Sequence, residues 1–190
     1  MSTLKAPIRA DDHIKGPPGA PVTLVEYGDY ECAHCGAAHP VIKFVLRHFG
    51  HRLRFVYRHF PLKQIHVHAE AAAETAEFAG ARGKFWVMHD AIFENQDRLG
   101  LPLLLSLAEI LGLSQSGLHD ALAARQYTPK VRNDLLGGMR SGVNGTPTFF
   151  IDGSRHDGSA GELNAAIDLR LRLEAGPQGA APVSKGMSDP

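Results

Sequence analysis

Cys32-Ala33-His34-Cys35 contains the only two cysteines of the chain, and it falls between a predicted strand and a predicted helix. Two residues lie between the thiols, so one helical turn brings both sulfurs to the helix N-terminus. A disulfide closing so short a loop stabilises little: chain entropy assigns it roughly 2 kcal/mol, against about 4.7 for a long loop. The spacing therefore favours exchange chemistry over stapling. Cys32, at the helix start where unpaired N–H groups and the helix dipole favour an anion, is the expected exposed nucleophile. Cys35, one turn in and less exposed, suits the resolving role. His34 can add positive charge or a hydrogen-bond donor to the Cys32 sulfur. If the Cys32 pKa fell from about 8.5 to about 5, the reduced state would gain about 2.7 kcal/mol at pH 7, or about 60 mV in a two-electron couple.

Two further features converge on the same chemistry. Gly145-Thr146-Pro147-Thr148 stands directly before a predicted strand, where proline can take the cis bond at about 0.5–1 kcal/mol and leave the Thr146 backbone open to a substrate strand. A trans-proline in an ordinary turn is the plainer alternative. Glu26 lies six residues before Cys32 in a predicted strand. Buried, it would have a raised pKa and could shuttle the Cys35 proton; on an edge strand it would be a surface residue, and alternation alone does not choose its face.

The bulk composition narrows the partners. Twenty basic and twenty acidic side chains cancel over 190 residues, which points away from nucleic acid and anionic membranes. Met1 to Lys15 has no apolar core of signal-peptide length, and Leu101 to Leu113, the richest apolar stretch, is too short to span a bilayer. The expectation is a soluble, cytoplasmic protein, where a lone C-x-x-C is redox-active or metal-binding rather than structural. There is no second cysteine pair, and His66 and His68 stand in no standard ligand spacing to the first, so no metal is expected.

The elements that must position these residues follow from periodicity. Residues 1–20, with three prolines and two glycines, read as a flexible arm. A strand over Pro21–Tyr27, a helix over Cys32–Phe49 bent at Pro40, and a strand over Leu53–Tyr57 make a βαβ unit. Between about 67 and 142, amphipathic and alanine-rich stretches predict five helices, with Ser114 and Thr128 as caps. Thr148–Ile151, Asp152-Gly153 and Ser154–Asp157 form a hairpin, and Gly161–Leu173 a closing helix. Residues 176–190 read as a disordered tail. The domain thus spans 21–175, an α/β sheet whose βαβ and ββα halves are separated by a helical insertion.

This order, with C-x-x-C after the first strand and Gly-Thr-Pro-Thr-Phe-Phe-Ile-Asp-Gly at the second half, resembles the DsbA-like branch of the thioredoxin superfamily from about Pro21 to Leu173. The resemblance implies a thioredoxin-like fold and thiol–disulfide exchange with protein, peptide or small-thiol substrates. It also implies Cys32 as nucleophile, Cys35 as resolving thiol, Glu26 as buried acid and Pro147 as a cis-proline beside Thr146. No bound cofactor is required, and glutathione or another thiol system would recycle the site. Ala33 stands where oxidising members often have proline. Two other readings are a glutathione-dependent isomerase or transferase on the same fold, in which Cys35 would be dispensable, and a non-catalytic module that holds clients at the Pro147 edge.

Overall fold

In the computed structural model, which describes residues 2–174, five strands form one sheet in the order β1-β3-β2-β4-β5. The central strand β2 (Val22–Gly28) runs into helix α1 (Ala33–Phe49), which returns the chain to β3 (Leu53–His59), parallel to β2. β4 (Thr148–Ile151) pairs antiparallel with the other edge of β2, and β5 (Ser154–His156) folds back on β4 through Asp152-Gly153. β1 (His13–Lys15) closes the far side against β3.

Both faces of the sheet are covered, so β2 is buried along nearly its whole length. Strand alternation sorts its side chains. Val22 and Leu24 join Cys35, Ile42 and Val45 of α1 in the larger core cluster, while Val25 and Tyr27 face the opposite way, against Phe60, Val143 and Phe150. By that period of two, Glu26 shares the face of Leu24 and the two cysteines. α1 runs through Pro40 without a break.

The insertion is five helices, α2 (Ala69–Gly80), α3 (Phe85–Glu94), α4 (Leu101–Ile110), α5 (Gln115–Ala123) and α6 (Thr128–Arg140), and α7 (Leu163–Glu174) ends the described chain. Ser114 caps α5, its hydroxyl accepting from Gly117 N–H at 3.0 Å. Thr128 does not cap α6. Helical backbone already includes it, Tyr127 is the N-cap residue, and the Thr128 hydroxyl donates to Glu74 at 2.6 Å. The tail 176–190 lies outside the described residues.

The flexible arm is the expectation the structure overturns. Residues 13–15 are a strand, and the segment before them is fastened by buried polar contacts that no hydrophobic pattern announces. Arg58, with no exposed surface, donates to Asp12 Oδ1 and Oδ2 at 2.9 and 2.7 Å, to the carbonyls of Ala6 and Pro7, and to the Tyr27 hydroxyl. Burial by itself would raise the Asp12 pKa, but the hydrogen bonds from Arg58 and the Arg9 backbone outweigh it and hold the carboxyl below its ordinary value. His13 Nε2 and His59 Nε2 meet the same Glu77 oxygen, each at 2.8 Å. The domain therefore begins well before residue 21.

Asp12→Ala should destabilise the protein by about 3–5 kcal/mol, the cost of leaving a buried charge without its partner. Urea unfolding measures this, and a loss below about 1 kcal/mol, the range of surface pairs, would show that the arm is not anchored there.

Candidate active site

β2 ends against the N-terminus of α1, and Cys32 is that helix's N-cap residue, in extended backbone geometry. Both cysteines are reduced. The first-turn carbonyl of Cys32 accepts from Gly36 N–H at 3.0 Å, which fixes the turn that carries Cys35. Gly36 leaves space that a side chain would fill: a Cβ there would meet Gln96 Oε1 at 2.1 Å. Gln96 uses that approach to donate to the carbonyls of Tyr30 and Cys32, at 2.7 and 2.9 Å.

The two sulfurs are in different states. A hydrogen bond from Cys35 is the largest influence on Cys32; burial opposes it, and the Cys35 and His34 backbone N–H groups reinforce it, leaving the Cys32 pKa at about 5. Burial chiefly pushes Cys35 strongly upward, and donating its proton to Cys32 adds to that. Asp29 N–H also points to the Cys35 sulfur, at 3.4 Å. The expected order of reactivity thus has a geometric basis, but not the expected exposure. Cys32 is only 5% exposed and Cys35 fully buried, because the loop at Thr146 closes over Cys32, whose Sγ lies 3.3 Å from the Thr146 carbonyl.

That contact alters the reading of Thr146. Its carbonyl accepts from Cys32 only while Cys32 is a thiol and is released when that sulfur ionises, and its hydroxyl is buried without a hydrogen-bond partner. The Thr146–Pro147 peptide bond is cis. Beside it runs a groove of about 540 Å³ between α1 and the β5 end, lined by His34, Val41, Pro147, Phe149 and Arg155 among others.

Glu26 sits in mid-strand, 4% exposed, opposite Tyr57 on β3 and Phe149 on β4. The edge-strand alternative is excluded, since β2 has a neighbour on each side. Desolvation raises its pKa to about 8, and its negative charge is among the influences that raise Cys35. His34 is the sequence candidate that the fold treats differently: it is exposed, and its backbone N–H rather than its ring is the group that favours the Cys32 thiolate. Asp29, His66 and Gln96 also converge here. Asp29 had the position of a strand terminator, His66 lay outside ligand spacing, and Gln96 carried no signal at all.

The profile of the family described as Thioredoxin matches residues 9–169. The chain belongs to that family. This thioredoxin-family chain shares its fold with α-DsbA1 of Wolbachia pipientis, at a TM-score of 0.78 and 22% identity over 90% of this chain and 96% of that one. A thioredoxin-like oxidoreductase from Silicibacter pomeroyi matches at 0.75 and 25% identity, over 86% and 94%. In sequence, a protein of Salinispora arenicola named Na(+)/H(+) antiporter NhaA 1 is 45% identical over 167 residues, covering 86% of this chain and 26% of that protein. The chain thus spans about a quarter of the length of that antiporter. No helix among the described residues is long and apolar enough to cross a membrane.

The raised pKa of Glu26 makes a stability prediction for the oxidised protein, in which the thiols do not titrate. The unfolded chain loses the Glu26 proton near pH 4.5 and the folded chain near pH 8. Stability should therefore fall as pH rises between those values, by up to about 5 kcal/mol from this group. Glu26→Gln should remove that part of the slope and be the more stable protein at pH 8. Parallel slopes for the two proteins in urea unfolding at pH 5 and pH 8 would contradict a buried, neutral carboxyl.

Proposed function

We propose that this chain is a thiol–disulfide oxidoreductase that exchanges the Cys32/Cys35 pair with protein or peptide thiols. The observation that carries the reading is the inequality of the two sulfurs: one turn of α1 joins a Cys32 held as thiolate near neutral pH to a Cys35 held as thiol. The Cys32 thiolate attacks one sulfur of a substrate disulfide. An S–S bond forms to Cys32, the substrate S–S bond breaks, and the departing thiolate takes a proton from solvent. Cys35 then loses its proton, for which Glu26, once it has given up its own proton, is the acceptor, and attacks the Cys32 sulfur. The second substrate thiolate leaves, so two electrons have passed from the dithiol to the substrate. The same steps in reverse oxidise a client dithiol.

Glutathione or a comparable thiol system restores the starting state in this scheme. A thiolate at Cys32 stabilises the reduced form, which makes the pair a better oxidant than an unperturbed dithiol. A reducing, cytoplasmic poise would instead keep it as the dithiol and drive reduction. In this reading the client strand contacts Thr146 and Pro147 beside the groove. The antiporter relatives favour one client class, cysteines of membrane proteins, because a segment similar to this chain forms part of those longer proteins.

A brief iodoacetamide pulse at pH 6 should label Cys32 of the reduced protein and leave Cys35 unlabelled, since a thiol of pKa about 5 is about nine-tenths ionised there. Preferential labelling of Cys35 on mass spectrometry would reverse the assigned roles. Cys35→Ser should lose insulin-reducing turnover and accumulate mixed disulfides at Cys32. Full turnover in that variant would favour the glutathione-dependent isomerase or transferase, and unchanged client binding in a double-serine variant would favour the binding module.

A further inference from the structure

Asp29 links the two cysteines to a histidine from another part of the chain. Its carbonyl accepts from Cys32 N–H at 3.2 Å, and its own N–H is directed at the Cys35 sulfur. Its carboxylate, with no exposed surface, turns toward the β3–α2 connection, where Oδ2 accepts from Leu62 N–H and meets His66 Nδ1, both at 2.8 Å. Oδ1 accepts from Glu31 N–H at 2.8 Å, and the Glu31 carboxylate accepts from His68 N–H at 2.6 Å. Two carboxylates of the segment leading into C-x-x-C thus hold the His66 loop against it. His66 retains 20% of its side-chain surface, so its ring is fixed but still reached by solvent protons.

We propose that His66, held by Asp29, is a positioning residue that supplies positive charge to the Cys32 thiolate and so tunes the potential of the pair. The inference rests on the exchange reading above and extends it to a residue outside the C-x-x-C motif. The buried Asp29 carboxylate orients the ring through Nδ1, and an imidazolium in that place is favoured by every charge that faces it. Those charges are Asp29, Glu31 and Cys32 from the β2–α1 connection. On its own loop, Lys63 is drawn off to Glu70 at 3.2 Å. Burial opposes the charged ring, but the Asp29 hydrogen bond and charge, followed by Cys32 and Glu31, raise its pKa above the ordinary value. The interaction is mutual: a thiolate that favours the imidazolium is favoured by it. Sign and window follow. Between the Cys32 pKa of about 5 and the raised pKa of His66, both groups are charged and the reduced state is stabilised. As pH rises through the His66 pKa, that contribution is lost.

His66→Gln keeps a donor for Asp29 and removes the charge. It should raise the Cys32 pKa, read from thiolate absorbance against pH, so that the thiol-to-thiolate ratio changes by about 3- to 10-fold at a given pH. The glutathione equilibrium should move at least about threefold toward the disulfide, which converts to about 14 mV at 29.6 mV per tenfold. His66→Lys, which retains a cation, should return most of both effects. An unchanged Cys32 pKa in a folded His66→Gln protein, or equal shifts in the Gln and Lys variants, would overturn the proposal.

A wild-type measurement covers the case in which the variant does not fold. The His66 ring, titrated by NMR, should have a lower pKa in the disulfide form than in the dithiol form, because oxidation removes the thiolate. Equal values in the two forms would overturn the proposal while leaving the exchange reading intact. Failure of the wild-type pair to equilibrate with glutathione would instead remove the exchange reading itself.

Discussion

The Cys35 thiol favours the Cys32 thiolate beside it, and the rest of the site is arranged around that pair. A thiolate that is 5% exposed is costly unless donors replace the water it has lost. Here the donors are Cys35 and the N–H groups of the first turn of α1. Cys35 stays protonated chiefly because burial disfavours its anion, and the bond to Cys32 adds to that. One proton for two sulfurs is therefore the stable state of the reduced pair.

That arrangement needs a sheet buried on both faces. Because β2 is central, its C-terminal end points the chain into α1 from within the core, and Glu26 can lie on the cysteine face without reaching water. The carboxyl is neutral at pH 7 for the same reason that Cys35 is, desolvation of the charged form. The N-terminal segment closes the far edge of the sheet through β1, so the Arg58–Asp12 pair, remote from the sulfurs, contributes to the same enclosure.

The helical insertion also serves the site directly. Gln96, between α3 and α4, reaches back across Gly36 to the Tyr30 and Cys32 carbonyls. The β3–α2 connection brings His66 to Asp29. Residues from three separate stretches of chain thus meet at the segment before C-x-x-C. Asp29 joins most of them, with its main-chain groups on the cysteines and its side chain on the loop that follows β3.

Local chemistry determined by itself the C-x-x-C at a strand–helix junction, the five helices of the insertion and the Asp152-Gly153 hairpin. Each depends on short-range periodicity, turn residues or spacing, which are properties of a few neighbouring side chains. The fold was legible for that reason. The face of Glu26 was not, because alternation gives a period and no origin; only a partner strand on each side of β2 buries it. Polar anchoring of residues 6–15 was likewise invisible: Arg58 and Asp12 are 46 positions apart, and ion pairs leave no periodic trace. Thr128 would cap a helix taken alone, yet Glu74 takes its hydroxyl. His34 had the right sequence position beside the thiols, but its ring is left at the surface, whereas His66 is brought to Asp29 from 37 residues away. Tertiary structure decided these points because burial and hydrogen-bond partners are set by which distant segments pack together, and the two together set the charge of Cys32, Cys35 and Glu26.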